Sequence, residues 1–434
     1  MIFNSTKFNT HWPEKSLSSI GTFRRGKSKH RPRNDPKLFK NGIYPLIQTG
    51  EIKSAHLYIN SHNAAYNEFG LAQSHIWPKN TLCITIAANI AETGILEYPI
   101  CFPDSVVGFI ADPNKTSELF MHYVFSYIRN AIQKTASGSI QDNINIEFLA
   151  DLIFKIPVKK TQDSICNVLE NIDKKIELNN EINVELEAMA KLIYDYWFVQ
   201  FDFPDENGKP YKSSGGKMVY DQDLKREIPV GWGAGRLSDF EQKIITGKTP
   251  STNDKNNFDG DIPFICIGDV RGNMYITKTE ITLTEVGAAS QANKFIPKDA
   301  ICVTCIASPG LVAFATSESQ TNQQLNSVVC SKKKNRYFLY FYLKDYFNFT
   351  KAKMGNTFAN MNKDDFSSIL LPYPKDEIID SFSEKVKSVF ESVLLNSQEN
   401  NSLIELRDFL LPTLMNGQVT VSEERMKSLS KSNK

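Results

Sequence analysis

Residues 76–85 read IWPKNTLCIT and residues 295–304 read FIPKDAICVT, so the chain carries one segment twice, 219 positions apart. Upstream, Gly50-Glu51-Ile52-Lys53 with Tyr58-Ile59 answers Gly268-Asp269-Val270-Arg271 with Tyr275-Ile276. Further out, Trp12-Pro13, Leu17 and Gly26-Lys27 align with Trp232, Leu237 and Gly247-Lys248, and Gly138 aligns with Gly355. Order is kept at every step, so a unit of roughly 215 to 220 residues occurs twice. Two similar halves are the only plan this pattern allows, and 434 residues exceed what one core usually holds.

Within each unit the first part mixes short β-rich runs (LCITIAA, SVVGFIA; IPFICIG, AICVTCIA, LNSVVC) with turns, and has helical stretches near FMHYVFSYIRNAI and RYFLYFYLKDYF. The second part is a long helical pattern that follows Ile156-Pro157 or Leu371-Pro372. Apolar residues recur at 165, 169, 172, 176, 186, 190, 193 and 197, a single seam interrupted by Asn179 and Asn183. Val386, Val389, Val393, Leu403, Ile404, Leu410 and Leu414 form the matching stripe. Two such helices, each roughly 50 Å long at 1.5 Å per residue, are expected to pair antiparallel. The expected fold class is α+β: two mixed α/β lobes separated by two long antiparallel coiled-coil-like helices, with an internal pseudo-two-fold repeat. The boundaries read as lobe 1–155, helix 156–200, linker 201–226, lobe 227–375, helix 376–416 and tail 417–434.

The net charge of +1 conceals a pattern. Residues 1–155, 156–230, 231–375 and 376–434 carry +4, −4, +4 and −3, so the lobes are where a polyanion would bind. No stretch of 18 apolar residues occurs and the first residues lack the order of a secretory signal, which points to the cytoplasm. The seven cysteines are scattered. Only Cys302-Val-Thr-Cys305 has a ligand-like spacing, in a strand-like run where positions three apart face opposite sides; buried thiols rather than a metal site are expected.

The densest positive cluster is Arg24, Arg25, Lys27, Lys29, His30, Arg31 and Arg33, which suits phosphate contact. It overlaps Gly21-Thr-Phe-Arg-Arg-Gly26-Lys27-Ser28, a formal match to the phosphate-binding loop of nucleotide hydrolases. Such a loop needs a helix opening at its Lys-Ser, and KHRPRNDPK comes next instead. The second unit keeps Gly247-Lys248 but has no glycine five residues earlier. Base reading needs side chains with paired donors and acceptors. Candidates are Lys53 and Arg271 at equivalent positions, Gln73-Ser74 and Ser290-Gln291, Lys248, Thr249, Ser251, Asn253, Asn273, and Asn322-Gln323-Gln324. Catalytic signatures are missing: no Pro-Pro dipeptide exists to complete an amino-methyltransferase motif, and no Gly-rich cofactor fingerprint is followed by a suitably spaced acid.

Four stretches, TGKTPSTNDKNNFDGDIPFICIGDV (246–270), TNQQLN (321–326), LEAMAKLIYDYWF (186–198) and LIELRDFLLPTLMNGQV (403–419), resemble the specificity subunits of Type I restriction-modification systems. With the repeat plan, the resemblance covers nearly the whole chain. It implies that each lobe is a target-recognition domain reading one half of a split double-stranded DNA sequence, and that the helices are spacers. It further implies docking of two methyltransferase subunits at the helix ends, through Tyr194, Trp197, Phe198, Leu410 and Leu411. Restriction and translocation subunits would join the same assembly. This chain would be non-catalytic and hold no cofactor, with S-adenosylmethionine, ATP and Mg used by the partners. The first lobe departs from the pattern, with Gly26-Lys27-Ser28-Lys29 where the second has Gly247-Lys248-Thr249-Pro250. A nucleotide hydrolase using Gly21–Ser28 and a protein-binding helical scaffold are the alternatives.

Overall fold

A computed structural model describes residues 4–55, 57–137, 144–354 and 360–421. Gly138 and Gly355 lie outside the described residues. The chain divides into two compact units, Met1–Ile176 with Leu403–Lys434, and Glu177–Ser402. The long helices Lys159–Tyr194 and Asp376–Met415 each contribute to both.

The first unit is built on a five-stranded sheet in the order Gly21–Arg25, Val106–Ala111, Leu82–Thr85, Thr93–Leu96, Tyr58–Ile59. Leu82–Thr85 is buried at every position, as a strand covered on both faces must be. Alternate side chains separate cleanly. Leu82, Ile84, Val107 and Phe109 pack with Phe120, Tyr123 and Val124 of the helix Glu118–Ser137, whereas Cys83 and Val106 pack with Trp77, Leu96 and Phe102 behind the sheet.

The second unit repeats this frame. Its five-stranded sheet runs Lys243–Thr246, Leu325–Val329, Ile301–Thr304, Val312–Ala315, Tyr275–Ile276, strand for strand the same connectivity. Ile301, Val303, Val312 and Phe314 face the helix Asn335–Met354, while Cys302, Ala313 and Ala315 face away. Each unit closes with an antiparallel pair, Glu14–Ser16 with Ile153–Lys155 and Gly233–Arg236 with Leu370–Tyr373. Trp12 and Trp232 are equally buried, at 7 % exposure, which agrees with their alignment.

The asparagines that break the first helical seam are used. Within the second unit Asn179 Nδ2 donates to Glu399 Oε2 at 2.7 Å and Asn400 Oδ1 at 2.9 Å, and Asn396 Nδ2 donates to Asn183 Oδ1 at 2.9 Å. Partner numbers fall on one helix as they rise on the other, so the helices run antiparallel there. Asn179 and Asn400 are buried, so a register that left their Nδ2 groups without acceptors would be penalised. In the first unit Ile165 and Leu169 share a core with Leu414 and Met415, and Arg407 Nη1 donates to Asp173 Oδ1 at 3.0 Å.

Residues 201–226, read as a linker, carry packed aromatics. Phe201 and Phe203 are buried against Trp232, with ring centroids 5.6 and 5.4 Å away, and Tyr211 stacks on Phe203. Met218–Asp221 and Arg226–Pro229 form an antiparallel hairpin. The Gly, Ser, Lys and Pro content of this stretch reads as a linker with a small hairpin, and the interspersed aromatics add burial to it.

Candidate nucleic-acid interface

In both units a Gly-Lys pair follows the edge strand of the sheet, and the same backbone latch holds it. Gly26 N–H donates to Val106 O at 2.8 Å and Lys27 N–H to Phe102 O at 3.1 Å; Gly247 N–H donates to Leu325 O at 3.1 Å and Lys248 N–H to Thr321 O at 2.9 Å. A Cβ at Gly26 would lie 2.3 Å from Phe102 O, and one at Gly247 2.1 Å from Asn322 O. Close approach of two backbones is what requires glycine at both.

The latch also disposes of a nucleotide loop at Gly21–Ser28. Gly21 already lies in the strand Gly21–Arg25, the amides of Gly26 and Lys27 are committed to carbonyls, and no helix opens at Lys27-Ser28. The next helical element is the single turn Pro36–Leu38. The loop therefore lacks the free amides and helix N-terminus that cradle a phosphate.

Beyond the latch the two units differ. In the first, Arg25, Lys27 and Lys29 are exposed. Arg33 Nη2 pairs with Asp104 at 2.7 Å, and Arg31 Nη2 lies 3.9 Å from the same carboxylate while its Nη1 donates to the carbonyls of Ser28 and His30. Gln73 Oε1 accepts from Lys29 N–H at 2.6 Å and His30 N–H at 3.0 Å. Arg24 lies over the Trp77 ring, 4.8 Å from its centroid, and donates to His75 Nε2. Burial, then Arg24 and Lys27, lowers the pKa of His75 and keeps it a neutral acceptor.

In the second unit the tip is polar and has fewer cations, with Lys248, Asp254 and Lys255 as its charged residues. Lys248, Ser251 and Asn253 are exposed. Thr249 Oγ1 donates to Gln323 Oε1 at 2.5 Å, and Asn322 and Gln324 bond to each other at 3.0 Å twice, side chain to side chain and backbone to side chain. Gln291 Nε2 donates to Lys248 O and Gln320 Oε1, both at 2.7 Å. A glutamine at the end of the preceding helical turn therefore fixes the Gly-Lys loop in each unit, Gln73 in one and Gln291 in the other.

Several expected base readers have structural places instead. Ser74 and Gln291 are buried, so neither can reach a groove. Ser290 Oγ caps Gly287 O at 2.6 Å, and Asn273 Nδ2 is turned back to Asp269 O at 3.0 Å. Lys53 lies in the last turn of the helix Thr49–Ser54 and Arg271 at the C-terminal cap of Ile267–Val270, and among the described residues neither bonds to a Gly-Lys loop. Lys53 lines a cavity of about 260 Å³ with Glu92, His122 and Arg129; Arg271 donates to Ser308 Oγ at 3.2 Å. Side chains that sequence reasoning passed over do more at the loops: Trp77, His75, Asp104 and Gln320. Trp77 stood in the repeated segment itself, which was the available signal.

The expected partner contacts at the first helix end are corrected. Tyr194, Trp197 and Phe198 are 2–4 % exposed and pack with Phe338, Phe341 and Phe382, filling the core of the second unit. Leu410 and Leu411 are half-buried against the first unit's core. The exposed apolar side chains of these helices are others, among them Val184, Leu192, Leu395 and Phe409, each about two-thirds exposed. Cys302 and Cys305 enter different cores, and burial pushes their thiols up to about 12 and about 11. Among the described residues no helix is long and apolar enough to cross a membrane.

Comparison with known proteins agrees with this frame. The family model for the Type I restriction modification DNA specificity domain matches residues 9–188 and again 229–405, one match per repeat. The HindI specificity subunit of Haemophilus influenzae is 34 % identical over 359 residues, covering 70 % of this chain and 75 % of that protein. The MjaIX specificity subunit of Methanocaldococcus jannaschii is 23 % identical over 432 residues, covering 96 % and 95 %. The crystal structure of a Type I system S subunit from M. genitalium matches in fold, with a TM-score of 0.55 at 16 % identity over 95 % of this chain and 99 % of that one. Two matches of the same model over the two repeats, and a relative one-third identical, place the chain in the Type I restriction-modification specificity family.

Proposed function

We propose that this chain is the DNA-reading subunit of a Type I restriction-modification complex, each lobe reading one half of a bipartite double-stranded target while the helices set the gap. The observation that carries this is one frame built twice, with the same Gly-Lys latch and different side chains at its tip. The frame would fix the backbone on DNA, and the variable tip would supply the choice of bases. The first tip offers Arg24, Arg25, Lys27 and Lys29; the second offers Lys248, Thr249, Ser251, Asn253, Gln323 and Gln324.

The chain would be non-catalytic. Two methyltransferase subunits would supply S-adenosylmethionine-dependent chemistry, and restriction subunits the ATP- and Mg-dependent steps. Docking would use exposed apolar positions such as Val184, Leu192, Leu395 and Phe409, since Tyr194, Trp197 and Phe198 are occupied in the core.

Methylome sequencing of a host given this chain with a matching methyltransferase subunit tests the proposal. A split motif with a fixed gap is expected. A continuous motif, or unmodified DNA, would overturn the two-lobe reading, and binding without any sequence preference would favour a protein scaffold.

A further inference from the structure

Arg24 is the cation of the first tip that is held on an aromatic face rather than by a carboxylate. It lies opposite Gly108 across the strand pair, and the space a side chain at Gly108 would need is filled by the Trp77 ring, 2.6 Å from the position of a Cβ. Trp77 is itself stacked on Phe102 at 4.9 Å and buried, so the surface beneath the guanidinium is held by packing. Arginine can only donate, so His75 Nε2 must be the acceptor of its Nη2 and hold the group from one side. The remaining N–H groups stay on an exposed side chain.

Neighbouring cations are arranged differently. Arg33 is paired with Asp104, Arg31 is turned to the carbonyls of Ser28 and His30 with the same carboxylate 3.9 Å away, and Lys27 and Lys29 are exposed point charges that serve a phosphate from any direction. A fixed planar fork is useful only where orientation matters, and the base edge that accepts two parallel N–H bonds in the major groove is guanine, through O6 and N7. In the second unit the strand registers put Ile245 at the place of Arg24, and Ile296 stands for Trp77. No equivalent fork exists at that place.

We infer that Arg24, held on Trp77 and by His75, reads a guanine in the half-site recognised by the first lobe. This rests on the two-lobe reading above, and the experiment separates the two. The assembled complex is used to select from a duplex library randomised across the target, with the unaltered chain, with Arg24→Lys and with Lys27→Ala. Arg24→Lys keeps the charge and stem but loses the fork. Preference for guanine at one position should fall by roughly 10- to 100-fold, with the other positions and the gap retained. Lys27→Ala should weaken all duplexes alike and reduce the salt slope by about one. If Arg24→Lys instead weakens every duplex equally, or changes neither motif nor affinity, Arg24 is a phosphate anchor or a packing residue and the inference fails. A first half-site without a G·C pair overturns it too. If the unaltered complex selects no split motif, the reading of function itself has failed.

Discussion

The loops after Gly26 and Gly247 begin identically and end differently. Both are pinned by two backbone hydrogen bonds to the neighbouring strand segment and steadied by a glutamine. Beyond that point one is a cluster of arginines and lysines partly neutralised by Asp104, and the other a mesh of Thr249, Asn322, Gln323 and Gln324. The shared latch belongs to the frame, and the side chains beyond it are what differ between the units. The latch demands glycine at Gly26 and Gly247 but sets no side chain beyond them, so it can be repeated while the tip is free to change.

The largest expected effect comes from that separation. Replacing residues 1–155 by the corresponding lobe of a relative with another target should rewrite one half of the methylated motif completely and leave the other half untouched. Changes in both halves would show that the lobes do not read independently.

The latch can be attacked directly. Gly26→Val and Gly247→Val each drive a side chain into a carbonyl oxygen, at a cost on the order of 4 kcal/mol, seen as a lower midpoint of denaturant unfolding. Gly50 and Gly268 are repeat partners with nothing near a Cβ, in short helical turns. Alanine there should be neutral or stabilise by up to about 1 kcal/mol. Equal behaviour of the two glycine pairs would contradict the assigned role of the latch.

Much of this plan was legible because repetition doubles every signal. Trp12 with Trp232, Leu17 with Leu237 and Cys83 with Cys302 could each be read as core from a single pattern seen twice, and all are buried. Tyr194, Trp197 and Phe198 misled because an aromatic helix end looks the same whether it meets a partner subunit or its own lobe; only the presence of Phe338 and Phe382 decides. Ser74 and Gln291 failed for a related reason. Their polarity suits a groove, yet their burial is set by tertiary contacts that no local pattern encodes. The Arg24 site was half legible: the charge was visible, whereas the ring beneath it, Trp77, comes from a strand far along the chain.

The units also differ where the long helices meet the lobe helices, and this gives a smaller effect. Tyr123 Oη donates to Asp173, itself bonded to Arg407, and Asp173 is only 7 % exposed on its side chain. Tyr340 Oη donates to Glu187, which Lys344 also contacts, but that pair is about 30 % exposed. Arg407→Ala leaves a buried carboxylate without its cation and should cost about 3 kcal/mol. Lys344→Ala should cost under about 1 kcal/mol. Parallel unfolding curves for the two variants would decide; similar losses would mean burial does not set the difference.

His122 marks the same helix face, and its counterpart in the second unit is Leu339, so only the first unit carries a buried imidazole there. Nδ1 lies 3.0 Å from Thr93 Oγ1, and burial first, then Arg129 and Arg407, hold its pKa down from 6.5 to about 3. Between those values the unfolded chain binds a proton that the folded chain does not. The stabilisation is therefore complete above about pH 6.5 and is lost as pH falls toward 3. From pH 7.5 to 5 this one group should remove about 2 kcal/mol. His122→Leu makes the first unit resemble the second: it costs about 1 kcal/mol at pH 7.5 through the lost Thr93 bond, but flattens the decline. Denaturant unfolding of both proteins at the two pH values reads the difference directly, and an unchanged slope in His122→Leu would assign the acid sensitivity to another group.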